Sequence, residues 1–358
     1  MEVIVRRKDH LMSPLHRRMT ALVSEAGYRS DEPLVAGIRR RGAPPVHLAQ
    51  GLTSTGEPMT AATLVYAASL SKQMTAACAA LLVRRGVLDM ESPLSHRLPE
   101  LPAWAGAVRL RHLVHHTAAL PADSAVDALL ARDADRTTPG VIQALTRFPA
   151  LAGRPGTEYV YSNAGYLCLA AAVERAADMP LPGFAQRHLF APLAMADTRY
   201  WPGPEPMPPG AAPLARPRPA PLSLGDGGVW TTLGDLLRWG QALNADELGV
   251  SALMQTPGRL DDGTPIDYAW GIGVRSHAGH RVYRHGGGWT GLRALHARVP
   301  DLDLSVAVIA TDDHTERRVP LLDGLLDVAR DAASHSGGLR RRTDEPHVRK
   351  QGERPWKP

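Results

Sequence analysis

Residues 68–86, ASLSKQMTAACAALLVRRG, decide how the rest of the chain is read. From Ser71 to Arg85 the stretch is built of Ala, Leu, Met, Thr and Cys with few polar interruptions, and Gly86 supplies a helix stop. A helix that is apolar on most sides must be enclosed, so neighbouring elements have to wrap it. Lys72 stands out at its head. Of the 41 basic residues 37 are Arg, and the four Lys are Lys8, Lys72, Lys350 and Lys357. A lysine is thus kept at the one place where the chain is most apolar.

Ser69 lies three residues before Lys72, and positions three apart share a helix face. A serine hydroxyl is a weak nucleophile until a base takes its proton. Lysine can be that base if burial favours its neutral form; arginine stays protonated in proteins. S-x-x-K is a short pattern, and a lysine near a helix start can equally reach solvent. Ser71 faces elsewhere, which leaves Ser69 as the candidate nucleophile.

Working outward, EPLVAGIRRRG and PPVHLAQG read as two strands joined by a turn at Gly42–Pro44. Residues 87–200 read as helices and loops: a short helix in AVRLRHLVHHTAALP, amphipathic helices in SAVDALLARD and TPGVIQALTRFP, and a longer one in SNAGYLCLAAAVERAAD. Residues 201–221 hold nine Pro and read as a surface linker or loop. Thr232 and Asp235 form a capping-box pattern before an apolar run. After residue 265 the period becomes two, and YAWGIGVRSH, HRVYRH, RALHARVP and DLSVAVIATDD read as antiparallel strands before a closing helix, VPLLDGLLDVARDAA. The expectation is an α/β (α+β) fold in which the first and last strands join one antiparallel sheet flanked by helices, with an all-helical subdomain at roughly 87–220 inserted between them. Residues 1–19 read as an N-terminal extension, 20–335 as the folded domain and 336–358 as a basic disordered tail.

Two further places can carry chemistry. In PGTEYVYSNAGY, Tyr161 offers a phenol for proton transfer and Asn163, one of two Asn in the chain, an amide that can hold a substrate; a Ser or Asn helix cap beside a core tyrosine explains the same residues. In YRHGGGWTG, His285 is followed by Gly286, Gly287 and Gly288, which let a backbone approach a ligand or simply form a hairpin. His112, His115 and His116 have helical spacing but no carboxylate at a ligand-like offset, so no metal site is expected. Cys78 and Cys168 read as buried thiols.

The net charge of +5 is concentrated at the ends, with +3 in residues 1–20 and +4 in residues 336–358, leaving the body slightly acidic. That argues against a nucleic-acid face. No apolar run is long enough to span a membrane, and the first residues lack a secretory h-region, so a cytoplasmic location is expected.

Ser69-Leu70-Ser71-Lys72, Tyr161-Ser162-Asn163 and His285-Gly286-Gly287, in this order, resemble the S-x-x-K, Y-x-N and K-T-G or H-x-G motifs of the serine β-lactamase and penicillin-binding-protein superfamily. The class C-like branch of esterases and D-peptidases is the nearest likeness, over roughly residues 20–333. The resemblance implies that fold, with Ser69 acylated, Lys72 and Tyr161 sharing acid and base work, and the Lys72 amine within reach of both oxygens. It also implies that Asn163 positions substrate, that His285 supports Tyr161 or touches substrate, and that the N–H groups of Ser69 and Gly288 form an oxyanion hole. No cofactor is implied. Gly286 departs from penicillin-recognising relatives, which usually carry a hydroxyl there, and losing such a hydrogen bond costs roughly 1.5–3 kcal/mol. The expected substrate is a small ester or amide, with a β-lactamase, D,D-peptidase or D-aminopeptidase activity as the alternative and a non-catalytic binding module as a further one.

Overall fold

The computed structural model describes residues 13–133, 135–201, 207–213 and 222–340. Among them the strands are β1 (Leu34–Arg40), β2 (Val46–Gln50), β3 (Val65–Tyr66), β4 (Arg199–Tyr200), β5 (Val229–Thr231), β6 (Gly273–His277), β7 (His280–Trp289), β8 (Leu292–Val299) and β9 (Leu304–Ala310). Six of them form one antiparallel sheet in the order β2-β1-β9-β8-β7-β6, so the first and last strands are neighbours, as expected. The β9 sequence, LSVAVIA, is buried along its whole length because helices cover both faces of the sheet.

One face is covered by helix α1 (Pro14–Glu25) together with the last described helix. Met19 and Val23 of α1 pack with Leu321, Leu322 and Leu325 against Leu34, Val306 and Val308. The folded part therefore begins before residue 20: Ser13 caps α1, its side chain accepting the His16 N–H at 3.1 Å. Of the basic residues in that stretch, Arg17 and Arg18 lie on the exposed side of this helix.

The other face holds the helix that opened the sequence reading, α2 (Ser71–Arg84), whose residues from Ser71 to Leu82 are all buried. Gly86 follows it with φ +70°. Next come α3 (Leu110–Val114), α4 (Asp123–Asp133), α5 (Thr138–Leu145), α6 (Asn163–Ala177) and α7 (Leu181–Ala185), the expected helical insert, with α6 packed on α2. Then α8 (Leu233–Asn244) lies directly on β9 and β1, α9 (Ser251–Met254) is a single turn, and α10 (Thr315–Arg340) is the last helix. A Cβ on Gly240 would stand 2.1 Å from Ser305 Oγ, so glycine there is what lets α8 lie this close to the sheet. Thr232 caps α8 through the Asp235 N–H at 3.2 Å, but the return half of the capping box is absent: Asp235 Oδ2 accepts instead from Asp197 N and Thr198 Oγ1.

Three differences bear on the site. Residues 268–272 are not strand; the chain turns there, and β6 starts only at Gly273. A small sheet in the order β3-β5-β4 is present that no alternation announced, since its strands are two or three residues long. It pairs Tyr66 with Trp230, and Ala67 N donates to Val229 O at 2.8 Å, which brings residues 226–229 against the start of α2. The last helix runs on to Arg340, into the stretch expected to be a disordered tail; the rest of that tail, residues 1–12, and residues 202–206 and 214–221 of the proline-rich segment lie outside the described residues. No helix among the described residues is long and apolar enough to cross a membrane.

Candidate active site

Ser69 sits in a tight turn, Ala68–Leu70, that runs straight into α2. Ala68 has φ +48°, a left-handed conformation that costs a non-glycine residue about 1–2 kcal/mol. Ser71 holds it: its Oγ donates to Ala68 O at 2.6 Å and accepts from Val229 N at 3.1 Å. Ser71 thus faces away from the site, as read from the sequence, and braces the residue before Ser69.

Lys72 is fully buried. Its Nζ reaches Ser69 Oγ at 3.2 Å, Asn163 Oδ1 at 2.8 Å and Asp226 O at 2.9 Å. An ammonium has three N–H donors for these three acceptors; a neutral amine keeps two and turns its lone pair on the serine hydroxyl. Arginine, longer and forked, does not fit this three-way junction.

Tyr161 comes to Lys72 with its ring rather than its oxygen. The amine lies over the ring at 4.9 Å from the centroid, and among the described residues no hydrogen bond joins the two. This corrects the expected reach of Lys72 to both Ser69 and Tyr161 oxygens. The cause is local. Tyr161 follows Val160, whose N–H donates to His116 O at 2.8 Å, and precedes Ser162, whose N–H donates to His116 Nδ1 at 3.1 Å. His116, at φ +57°, also stacks its ring on Tyr161 at 4.3 Å.

Asn163 opens α6. Ser162 caps that helix through the Gly165 N–H at 3.1 Å, and Asp123 takes the next two donors, Asn163 N at 2.8 Å and Ala164 N at 3.2 Å. The cap reading of this stretch therefore holds. With its backbone fixed, Asn163 turns its amide oxygen to Lys72 rather than leaving it open for a substrate.

His285 lies on β7 and its ring is 6.2 Å from that of Tyr161. Its Nδ1 faces Gly286 O at 2.7 Å; a carbonyl only accepts, so Nδ1 carries the hydrogen and Nε2 is left to accept from Tyr268 Oη at 3.1 Å. Burial, with the Lys72 charge adding to it, pushes His285 down to about 4. The same two causes, with His285 itself, hold His116 well below the usual histidine range. Both rings are neutral near pH 7; His285 meets Tyr268, whose ring stands edge-on to that of Tyr161.

The three glycines after His285 differ in their surroundings. A Cβ on Gly287 would stand 2.2 Å from Ala67 O, so β7 can lie against the Ser69 turn only with glycine here. A Cβ on Gly286 would meet Arg318 Nη1 at 3.5 Å, an ordinary contact. Gly288 lines a cavity of about 710 Å³ together with Ser69, Asn163, Asp123 and Asp226.

The sequence reading did not single out Asp226. Asp226 reaches Lys72 through a β5–β3 pairing between residues far apart in the chain. His116 was weighed only as a metal ligand. His112 instead accepts the Arg109 N–H at 3.1 Å at the start of α3, and His115 packs edge-on against Trp270. Cys78 and Cys168 are buried and unpaired.

Known proteins share this fold. A penicillin-binding protein of Bacillus subtilis is 30% identical over 273 residues, which cover 68% of this chain and 60% of that protein. A D-aminopeptidase of Cereibacter sphaeroides is 28% identical over 77% of this chain and 56% of its own length. The chain thus spans little more than half the length of these two relatives. A D-amino acid amidase from Ochrobactrum anthropi, solved with L-phenylalanine amide, superposes with a TM-score of 0.74 at 18% identity, over 89% of this chain and 99% of that one. The Beta-lactamase family matches residues 32–331, and the chain belongs to that family.

Proposed function

We propose that this protein is a serine hydrolase that forms an acyl-enzyme on Ser69 with a small ester or amide. The observation that carries the reading is the fully buried Lys72, with its amine 3.2 Å from Ser69 Oγ. In the neutral form Lys72 accepts the Ser69 proton as Oγ attacks the carbonyl carbon. Asn163 Oδ1 and Asp226 O take the remaining N–H donors and fix the amine. The N–H groups of Ser69 and Gly288, on the same cavity wall, hold the oxygen that becomes negative. The proton then passes from Lys72 to the leaving group; Tyr161, whose ring lies over the amine here, relays it once its hydroxyl turns toward the amine. Water repeats the sequence on the acyl-enzyme and frees Ser69.

The test is labelling by a fluorophosphonate and turnover of 4-nitrophenyl acetate. Both are expected in the wild type and absent in Ser69→Ala; equal behaviour of the two proteins removes the reading. The relatives named as a D-aminopeptidase and a penicillin-binding protein support peptide amides as a second reading. For β-lactams, Gly286 offers no hydroxyl, and Arg318 stands beside it instead. Nitrocefin turnover at a rate comparable to ester turnover is the result that would favour that substrate class.

A further inference from the structure

The cavity beside Ser69 is walled in part by two helices of the insert: Val126 and Leu130 of α4 and Val141 of α5 line it. These helices pack on each other and on α6. Each also carries, at its first residue, a side chain that reaches the groups around Lys72. Asp123, first in α4, accepts Asn163 N on one carboxylate oxygen at 2.8 Å and Ala164 N on the other at 3.2 Å. Ser162 already caps α6, so the carboxylate is a second anchor on the residue that carries the amide. Thr138, first in α5, accepts Leu224 N at 2.9 Å and donates to Leu224 O at 3.3 Å. Thr137 is the residue that caps α5, through Gly140 N at 3.1 Å, which leaves the Thr138 hydroxyl for Leu224.

Two residues beyond Leu224 is Asp226, whose carbonyl oxygen takes one Lys72 N–H at 2.9 Å, while Asn163 Oδ1 takes another at 2.8 Å. Thr75, on the same helix as Lys72, donates to the intervening Gly225 O at 2.7 Å. Residues 224–226 are thus strung between α2 and the cavity wall. Both acceptors that aim the amine at Ser69 are therefore anchored to the helix pair that an acyl group would touch. We propose that α4 and α5 couple the acyl group to the catalytic amine. Asp123 and Thr138 are positioning residues, and an apolar acyl chain packed on Val126, Leu130 and Val141 steadies both helices and, through them, Asn163 and Asp226 around Lys72. The inference rests on the acyl-enzyme reading and adds that contact with the wall is used for rate and not for binding alone. Alignment is where such contact counts, since misplacing a catalytic group by about 1 Å costs on the order of 10²-fold.

The experiment measures kcat and KM separately for 4-nitrophenyl acetate, butyrate and hexanoate, which share one leaving group, with Ser69→Ala as background. Both half-reactions pass through Lys72, so kcat reports its alignment whichever is slower. In the wild type kcat is expected to rise about tenfold from acetate to hexanoate. Asp123→Asn and Thr138→Val are expected to bring that ratio down to about twofold or less, and Thr138→Ser, which keeps the hydroxyl, to preserve it. A wild-type kcat that stays level while KM alone falls with chain length shows a wall that only binds, and overturns the proposal whether or not the variants fold. An unchanged ratio in Asp123→Asn or Thr138→Val that melts like the wild type also overturns it. An equal fall on all three esters separates these residues from the wall and overturns the coupling as well. Ser69-dependent turnover without the chain-length effect on kcat leaves the acyl-enzyme reading standing, whereas no Ser69-dependent turnover of any ester removes both.

Discussion

The His116 ring lies on the Tyr161 ring at 4.3 Å, and its Nδ1 and carbonyl oxygen accept the N–H groups on either side of that tyrosine. One residue therefore sets both the backbone and the ring plane of Tyr161. Since Nδ1 accepts, the hydrogen is on Nε2, which is enclosed without a partner. His116→Phe keeps the stacking and leaves the Ser162 N–H without its acceptor, a loss of about 1–3 kcal/mol. The expected result is a fall in kcat on 4-nitrophenyl acetate by tens of fold with KM little changed. A fall confined to KM would remove His116 as a positioning residue for Tyr161.

Lys72→Arg tests the base. Arginine keeps a positive charge and several donors but does not give up its proton. Loss of about 10²–10⁴-fold in kcat is expected, the usual contribution of a general base. Overpacking of the enclosed site adds about 1–3 kcal/mol of destabilisation, read by thermal melting. Ester turnover within tenfold of wild type would show that another group takes the Ser69 proton.

Gly286 and Gly287 are adjacent and should respond in opposite ways. Gly287→Ala drives a Cβ to 2.2 Å from Ala67 O, so β7 or the Ser69 turn must move. Lower thermal stability and loss of fluorophosphonate labelling are expected. Gly286→Ala meets nothing closer than 3.5 Å and should leave both nearly unchanged. Similar effects from the two changes would mean that the contact with Ala67 does not hold the site together.

Buried histidines give the protein a defined acid sensitivity. His115 and His285 are held down to about 4 and His296 to about 3, in each case mainly by burial. An unfolded histidine titrates near 6.5. Between those values the unfolded chain binds more protons than the folded one, so stability rises with pH and is lost as pH falls from about 6.5 to 4. Each group contributes on the order of 3 kcal/mol across that window. Urea unfolding at pH 7 and pH 4.5 should show a lower midpoint at the acidic value. Equal midpoints would mean that these rings already carry protons in the fold.

What the sequence made legible was local chemistry and long periodic elements. Ser69 and Lys72 could be paired because they stand three positions apart at the head of a helix, and β7 to β9 because alternation runs through them. Asp226 was hidden because its partner lies 154 residues away and is reached through strands too short to alternate. Tyr161 was identified as a residue but not in its orientation, because His116, from another loop, sets that orientation. The first turns of α1 were read as a charged extension because Met19 and Val23 declare a buried face only when α10 and the sheet are beside them.

Leu34, near the beginning of the chain, pairs with Ala310, near its end, and β8 pairs with β9 along the same line. β1 must therefore wait for a partner made much later. Folding dominated by such distant pairings is slow, because chain entropy is lost before the contacts that compensate it form. His285, Gly287 and Gly288 sit two strands from that closure, so the edge that faces Ser69 takes shape only when the sheet does. A nascent or partly unfolded chain carries the Ser69–Lys72 segment without the wall opposite it. Acylating power and complete folding should thus appear together, and fluorophosphonate labelling during refolding would report the closing of the sheet.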